Sequence, residues 1–319
     1  MQTTESQQRL ARVLLWLTPA LWAVNYIVAR KAPGLIEPHQ LALGRWGVAG
    51  LIIGVLARHE LWQHRAHLRV VWPQYLVLGT LGMLICGAWV YLGARTTGAM
   101  NIALIYSAAP VLIALGAVFW LGEHFSRVQV LGVAAAMSGV LHVIVKGQWL
   151  ALGNVQWVPG DAWIVVATVA WAAYALLLKQ WHSPLGPSAR LAATCAGGVM
   201  VLIPFALWEW TRPLAAPWNP AGIGLVLLAA LIPGVGAYWC YGFCQRVLGA
   251  GRVAASLYLG PLYAALAAWG VLGESLGLHH AVGAALILPG IWLVSRGAPR
   301  PAPMRLPDAG VDAPDTDQR

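Results

Sequence analysis

From residue 13 to residue 295 the chain is a run of ten apolar segments, each of bilayer-spanning length and separated by short connections. Their approximate limits are 13–31, 39–57, 73–93, 98–121, 127–145, 161–180, 188–209, 221–244, 251–272 and 278–295. A helical crossing of the hydrocarbon layer takes about 20 apolar residues, so the pattern predicts an all-α integral membrane protein. Composition agrees. Hydrophobic residues make up 59% and charged residues 10%, against roughly 25% charged in soluble domains. The 35 glycines and 18 tryptophans suit close helix packing and the membrane–water boundary.

The chain also repeats itself. Residues 106–123, YSAAPVLIALGAVFWLGE, and 257–274, LYLGPLYAALAAWGVLGE, align without a gap and share seven identities, among them Pro110/Pro261 and a closing Leu-Gly-Glu. The 151-residue offset extends to Arg95/Arg246, Gly132/Gly283 and Gly139/Gly290, and an offset of 149 matches Trp22 with Trp171. Each copy then holds five spans. An odd number of crossings threads the second copy upside down, so the expected architecture is ten transmembrane helices as two inverted-topology five-helix repeats around a central cavity. The expected organisation is a cytoplasmic N-terminus (1–12), a first copy (13–147), an interfacial linker (148–160), a second copy (161–297) and a disordered cytoplasmic tail (298–319) with five prolines and four aspartates.

Basic residues predict the sidedness. With both termini inside, fourteen lysines and arginines fall on the cytoplasmic side and five, Arg30, Lys31, Arg95, Lys146 and Arg212, on the other. That is the bias of an inner, or plasma, membrane protein. The first apolar run is followed by Arg30-Lys31 rather than a small-residue cleavage site, so it reads as a retained span. The charge of +9 therefore sets topology. It forms no basic stripe, and no nucleic acid partner is expected.

Several stretches resemble the EamA-type transporters of the drug/metabolite transporter superfamily: ALWAVNYIVARK (20–31), LALGRWGVAG (41–50), ARTTGAMNIALIYSAAPVLIALGAVFWLGE (94–123), LGVAAAMSGVL (131–141) and QRVLGAGRVAASLYLGPLYAALAAWGVLGE (245–274). The resemblance implies a ten-helix inner-membrane carrier, typically one that exports amino acids or other small metabolites, and two halves of opposite orientation imply alternating access. Within that superfamily a sugar or lipid-carrier transporter, or a flippase, is the alternative. From other classes the rivals are a membrane-embedded enzyme and a non-transporting scaffold. An enzyme needs a catalytic cluster at one membrane face, and the sequence displays none. The expected partners are a small-molecule substrate and the bilayer, and a homo-oligomer is compatible with the sequence.

Polar groups at membrane depth are the candidate site residues. Arg45 lies ~10 Å into its helix at 1.5 Å per residue. It reads as a fixed cation for a substrate carboxylate, with a snorkelling side chain as the competing reading; the resemblance favours the first, since an arginine is usual at this place. Asn25, Tyr26, Trp22, Trp89, Asn101, Tyr106, Trp171, Tyr174, Trp239, Tyr241, Tyr258 and Tyr263 form a polar-aromatic set suited to a small-molecule cavity or to interhelical bonding. Pro110 and Pro261 are expected to kink the fourth helix of each copy and serve as hinges. Glu123 and Glu274 end those helices and read as structural. Every carboxylate lies near a helix end or in a terminus, which disfavours a proton relay of buried acids. Cys240 and Cys244 lack a third ligand, and His59, His64 and His67 fit no zinc spacing. No metal, cofactor or catalytic residue is expected.

Overall fold

The computed structural model describes residues 5–121, 126–150, 158–213, 216–217, 219–248 and 259–296. Everything regular in them is helical. In chain order the helices are α1 (Glu5–Lys31), α2 (Pro38–Leu56), α3 (Arg58–Gln63), α4 (Arg65–Gly93), α5 (Ala99–Tyr106), α6 (Ala109–Leu121), α7 (Arg127–Ile144), α8 (Pro159–Gln180), α9 (Pro187–Trp210), α10 (Pro220–Leu248), α11 (Gly260–Leu272) and α12 (Leu278–Arg296). Among the described residues α1, α2, α4, α7, α8, α9 and α10 are long and apolar enough to cross a membrane, and Ala99–Ile113, Gly260–Leu272 and Leu278–Leu293 are shorter apolar helices. The expected tail (298–319), Glu123, Tyr258 and linker residues 151–157 lie outside the described residues.

Local chemistry sets the helix starts. Proline opens α2, α8, α9 and α10, where its missing N–H has no intrahelical partner to lose. Ser126 and Gln129 form a reciprocal capping box at α7. The Asn219 side chain accepts from Gly222 N–H at 2.8 Å and donates to the Leu35 carbonyl at 2.9 Å, tying the start of α10 to the loop after α1.

Two helices contain widened turns. Thr80–Trp89 within α4 and Ala230–Gly236 within α10 are π-helical. In α10 the widening coincides with Pro233, which cannot supply its N–H to an α-helical ladder.

The fourth apolar segment is interrupted by a turn just before Pro110. α5 stops at Tyr106, α6 starts at Ala109, and Ser107-Ala108 turn between them. Pro110 stands in the first turn of α6, and Pro261 in the first turn of α11.

Tertiary contacts give helix directions. Glu209, late in α9, bonds His39 at the start of α2; a Cβ on Gly50 would meet Cys195; Glu60, beyond α2, bonds Gly186, just before α9. α2 and α9 are therefore antiparallel. A Cβ on Gly139 of α7 would lie 2.9 Å from the Gly283 carbonyl of α12, and one on Gly290 of α12 would lie 2.7 Å from the Gly132 carbonyl of α7. α7 and α12 are thus antiparallel too, with backbones close enough to exclude side chains.

The largest apolar cluster of the interior is drawn from both halves of the chain and includes Val28, Leu41, Met83, Tyr91, Ile102, Ile164, Leu202, Val226 and Ile287; two smaller ones lie around Tyr75 and Tyr174 and around Leu14 and Cys244. The outside is apolar as well: Leu51, Val70, Phe119, Trp210 and Trp269 are all exposed. Helices apolar all round are suited to a lipid surround.

Candidate functional site

Arg45 is buried, at 5% exposure. Its Nη1 donates to Asn25 Oδ1 at 2.8 Å and to the Tyr91 hydroxyl at 3.0 Å, and that hydroxyl donates to the same Asn25 oxygen at 2.8 Å. The triangle joins α2, α1 and α4. The guanidinium lies 4.3 Å from the Trp46 ring centroid, a cation–π contact. Its Nε is buried without a hydrogen-bond partner, and among the described residues Arg45 makes no ion pair. A buried guanidinium of this kind is costly unless an anion joins it.

An aromatic wall continues from this charge. Trp46 packs edge-on to Tyr238 at 6.4 Å, and Trp22 meets Tyr238 at 5.6 Å and Tyr241 at 5.4 Å. The wall links α1 and α2 of the first half to α10 of the second. Trp46, Tyr91 and Tyr238 are absent from the sequence-derived set. The adjacency of Trp46 to Arg45 is the one signal that pointed to any of them.

The remaining candidates are distributed. Tyr26 is partly buried against the main core. Tyr106 is partly buried against the main core, and the Cys86 thiol donates to the Ala167 carbonyl at 3.2 Å. Trp89 packs on Trp163 at 5.2 Å, and Trp171 stacks on Tyr174 at 5.2 Å. Tyr263 is half-buried on α11. Trp239 is 54% exposed and stacks on Phe243 of the same helix. A groove of about 450 Å³ between α2 and α3, lined by Gly50, Leu51, Gly54, Val55, Arg58, Leu61 and Trp62, includes none of these side chains.

Asn101 belongs to a separate network. Its amide donates to Asp161 at 3.3 Å, as does the Thr97 hydroxyl, and its Oδ1 lies 3.0 Å from His280 Nε2. Gly277 N–H donates to His280 Nδ1 at 3.1 Å, so Nε2 carries the proton and donates to Asn101. His142 likewise accepts from Trp149 Nε1 at 2.8 Å.

Two acids at helix ends are buried after all: Asp161 at 3% and Glu209 at 2% exposure. Position near a helix end did not keep them in water, because the end of one helix packs on the start of another. Glu209 accepts from the His39 and Gln40 N–H groups at 2.9 and 3.1 Å and lies 2.6 Å from His39 Nδ1. Glu60 caps α9 through Gly186 N–H. Glu274 accepts from Ala99 N–H at 3.0 Å and from Arg30 at 3.1 Å. These carboxylates close helix N-termini, where the dipole favours negative charge. In the loop before α2, burial works against ionising Glu37. Bonds from Ala216 N–H and Arg95, with the charges of Arg95 and Arg212, nevertheless hold its carboxyl below the usual range. No group of three His, Cys, Asp or Glu among the described residues could hold a metal ion.

Comparison with known proteins places this geometry in context. The model of the EamA-like transporter family matches residues 10–145 and again 158–296. The uncharacterized transporter YyaM of Bacillus subtilis is 26% identical over 272 residues, 85% of this chain and 88% of its own. A protein of Streptantibioticus cattleyicolor named "Probable terminal-alkyne amino-acid exporter" is 27% identical over 290 residues, 88% of this chain and 94% of its own. A solved crystal structure superposes with a TM-score of 0.59 at 19% identity, over 90% of this chain and 96% of that one, a likeness of fold alone.

Proposed function

The chain belongs to the EamA-like transporter family, and from that premise we propose that it exports a small metabolite bearing a carboxylate, such as an amino acid, by alternating access. Arg45 carries the proposal. It is a buried cation in a membrane protein, without an ion pair among the described residues, beside an aromatic wall built from both halves. Its planar fork suits a carboxylate, and Trp22, Tyr238 and Tyr241 offer apolar surface to the rest of a substrate. The name of the Streptantibioticus relative supports an amino acid as the kind of cargo.

The mechanism rests on two five-helix halves of opposite orientation, ten spans in all. Three observations support it. The family model matches twice. α2 and α9 hold equivalent places in the two matched segments and are antiparallel, as are α7 and α12. The π-helical stretches of α4 and α10 also fall at equivalent places. Halves so related can adopt two conformations of similar energy, one open to each side. Glu60 and Glu209 then cap the partner half's helix at opposite ends of the α2–α9 pair, one bond at each membrane face. The distribution of basic residues supports an inner membrane location with both termini cytoplasmic.

Flux of labelled carboxylates in proteoliposomes tests the reading. Arg45→Ala is expected to lower kcat/KM by about 10- to 100-fold, the loss of a charge-assisted bond worth about 1.5–3 kcal/mol, and Arg45→Lys by less. Unchanged carboxylate flux in folded Arg45→Ala protein would refute it.

A further inference from the structure

We infer that the species carried past Arg45 is a monoanion, a carboxylate without a free ammonium group, and that an inside-negative membrane potential drives its export. This rests on the carboxylate-exporter reading above and departs from it in one respect: the zwitterionic amino acid given there as an example is not the cargo.

The argument is a census of negative charge. The sequence has eleven carboxylates, four of them the aspartates of residues 298–319. Of the other seven, six have partners in the structure. Glu5 pairs with Arg9, Glu37 with Arg95, and Glu274 with Arg30. Glu60 caps α9, Glu209 holds His39, and Asp161 is bonded by Thr97 and Asn101. The seventh, Glu123, follows the end of α6 and lies outside the described residues. None of the six is bonded to Arg45.

Among the described residues, therefore, no acid compensates the fixed positive charge of Arg45. A bound monocarboxylate neutralises it. A zwitterionic amino acid brings a second cation, whose ammonium must lose its water and find new acceptors. The best local acceptor is already engaged: Asn25 Oδ1 receives both Arg45 and Tyr91. The face of Trp46, the nearest alternative for an ammonium, carries the Arg45 guanidinium. The remaining wall, Trp22, Tyr238 and Tyr241, suits an apolar body.

The energetic consequence is direct. If the arginine stays with the protein, the net charge moved per cycle is that of the substrate. An anion leaving a negative interior moves down the potential, and 100 mV is worth about fifty-fold in its concentration ratio. Export then needs no proton relay.

The test uses the full-length protein in liposomes, with potassium and valinomycin setting the potential in either direction. The probes are two matched pairs, phenylpyruvate against L-phenylalanine and 4-methyl-2-oxopentanoate against L-leucine. The oxo acid of each pair should show at least a tenfold higher kcat/KM than its amino acid. Its efflux should rise when the lumen is made negative and fall when the lumen is made positive. Arg45→Lys should keep that response at reduced rate. Arg45→Gln, checked for folding by size exclusion and circular dichroism, should lose the preference for the anion. If amino acids move as well as their oxo acids, or if oxo-acid flux ignores the potential, this inference fails while the exporter reading stands. If folded wild-type protein moves no member of either pair, both are overturned.

Discussion

Arg30, next to last in α1, donates to the Glu274 carboxylate at 3.1 Å across a sequence separation of 244 residues. The same guanidinium donates to the Ala94 carbonyl at 2.6 Å, while Glu274 receives the Ala99 N–H that opens α5. One ion pair thus fastens α1 and the start of α5 to the end of α11. The repeated Leu-Gly-Glu gains a physical reason in its second copy. Gly273 leaves the helix with φ of +66°, where a side chain is disfavoured, and Glu274 is turned toward its partners.

Replacing Glu274 by alanine should therefore destabilise the protein by about 1–3 kcal/mol, the cost of unpaired groups at a partly buried site. Glu274→Gln should recover part of this by accepting from Ala99. Thermal unfolding in detergent, monitored for all three proteins, measures it.

Gly139→Leu should abolish folding of α7 against α12. Even a Cβ there would lie 2.7 Å from Ile287 Cγ1 and 2.9 Å from the Gly283 carbonyl, and overpacking costs about 1–3 kcal/mol before any larger group is added. Gly54→Leu is the control, since nothing lies within 4 Å of a Cβ there. Monodisperse yield on size exclusion should fall for the first and hold for the second.

Glu37 predicts an acid-sensitive contribution to stability. Its carboxyl in the folded protein ionises below the ordinary value of 4.5, so the folded state favours the charged form. That contribution is complete above the unfolded value and is lost as pH falls through the lowered one. Melting curves of wild type and Glu37→Gln should differ at neutral pH and draw together as pH falls from about 4.5 through the lowered value.

Tyr91→Phe removes the hydroxyl that accepts from Arg45 and donates to Asn25. With the guanidinium less firmly held, KM for a carboxylate substrate should rise by about fivefold, equivalent to about 1 kcal/mol. Proteoliposome kinetics provide the measurement.

Single cysteines at Trp62 and Arg212, both exposed, should react with an impermeant maleimide from opposite sides of the membrane. The native cysteines are buried or half-buried, which keeps the background low. Labelling of both positions from one side would remove the topology on which alternating access depends.

Much of the architecture can be read without coordinates. Spanning segments are visible because lipid demands long apolar runs, and Arg45 is visible because a charge inside such a run is conspicuous. Its partners are less legible. Asn25 and Tyr91 sit 20 and 46 residues from it, and only the crossing of three helices brings them together. Exposure is no more legible: Trp239, named with the cavity set, is 54% exposed in the structure. In lipid the core-facing and outward-facing sides of a helix are equally apolar, so periodicity does not tell them apart.

By itself, then, the sequence determined that this protein is helical, apolar along its length and written twice, because span length and duplication are properties of order along a chain. Tertiary structure alone decided which charges are satisfied. Glu209 meets His39 and Glu274 meets Arg30, while Arg45 is left with neutral partners among the described residues. The physical reason is that an ion pair forms over about 4 Å of space, and distance in space is set by how helices cross.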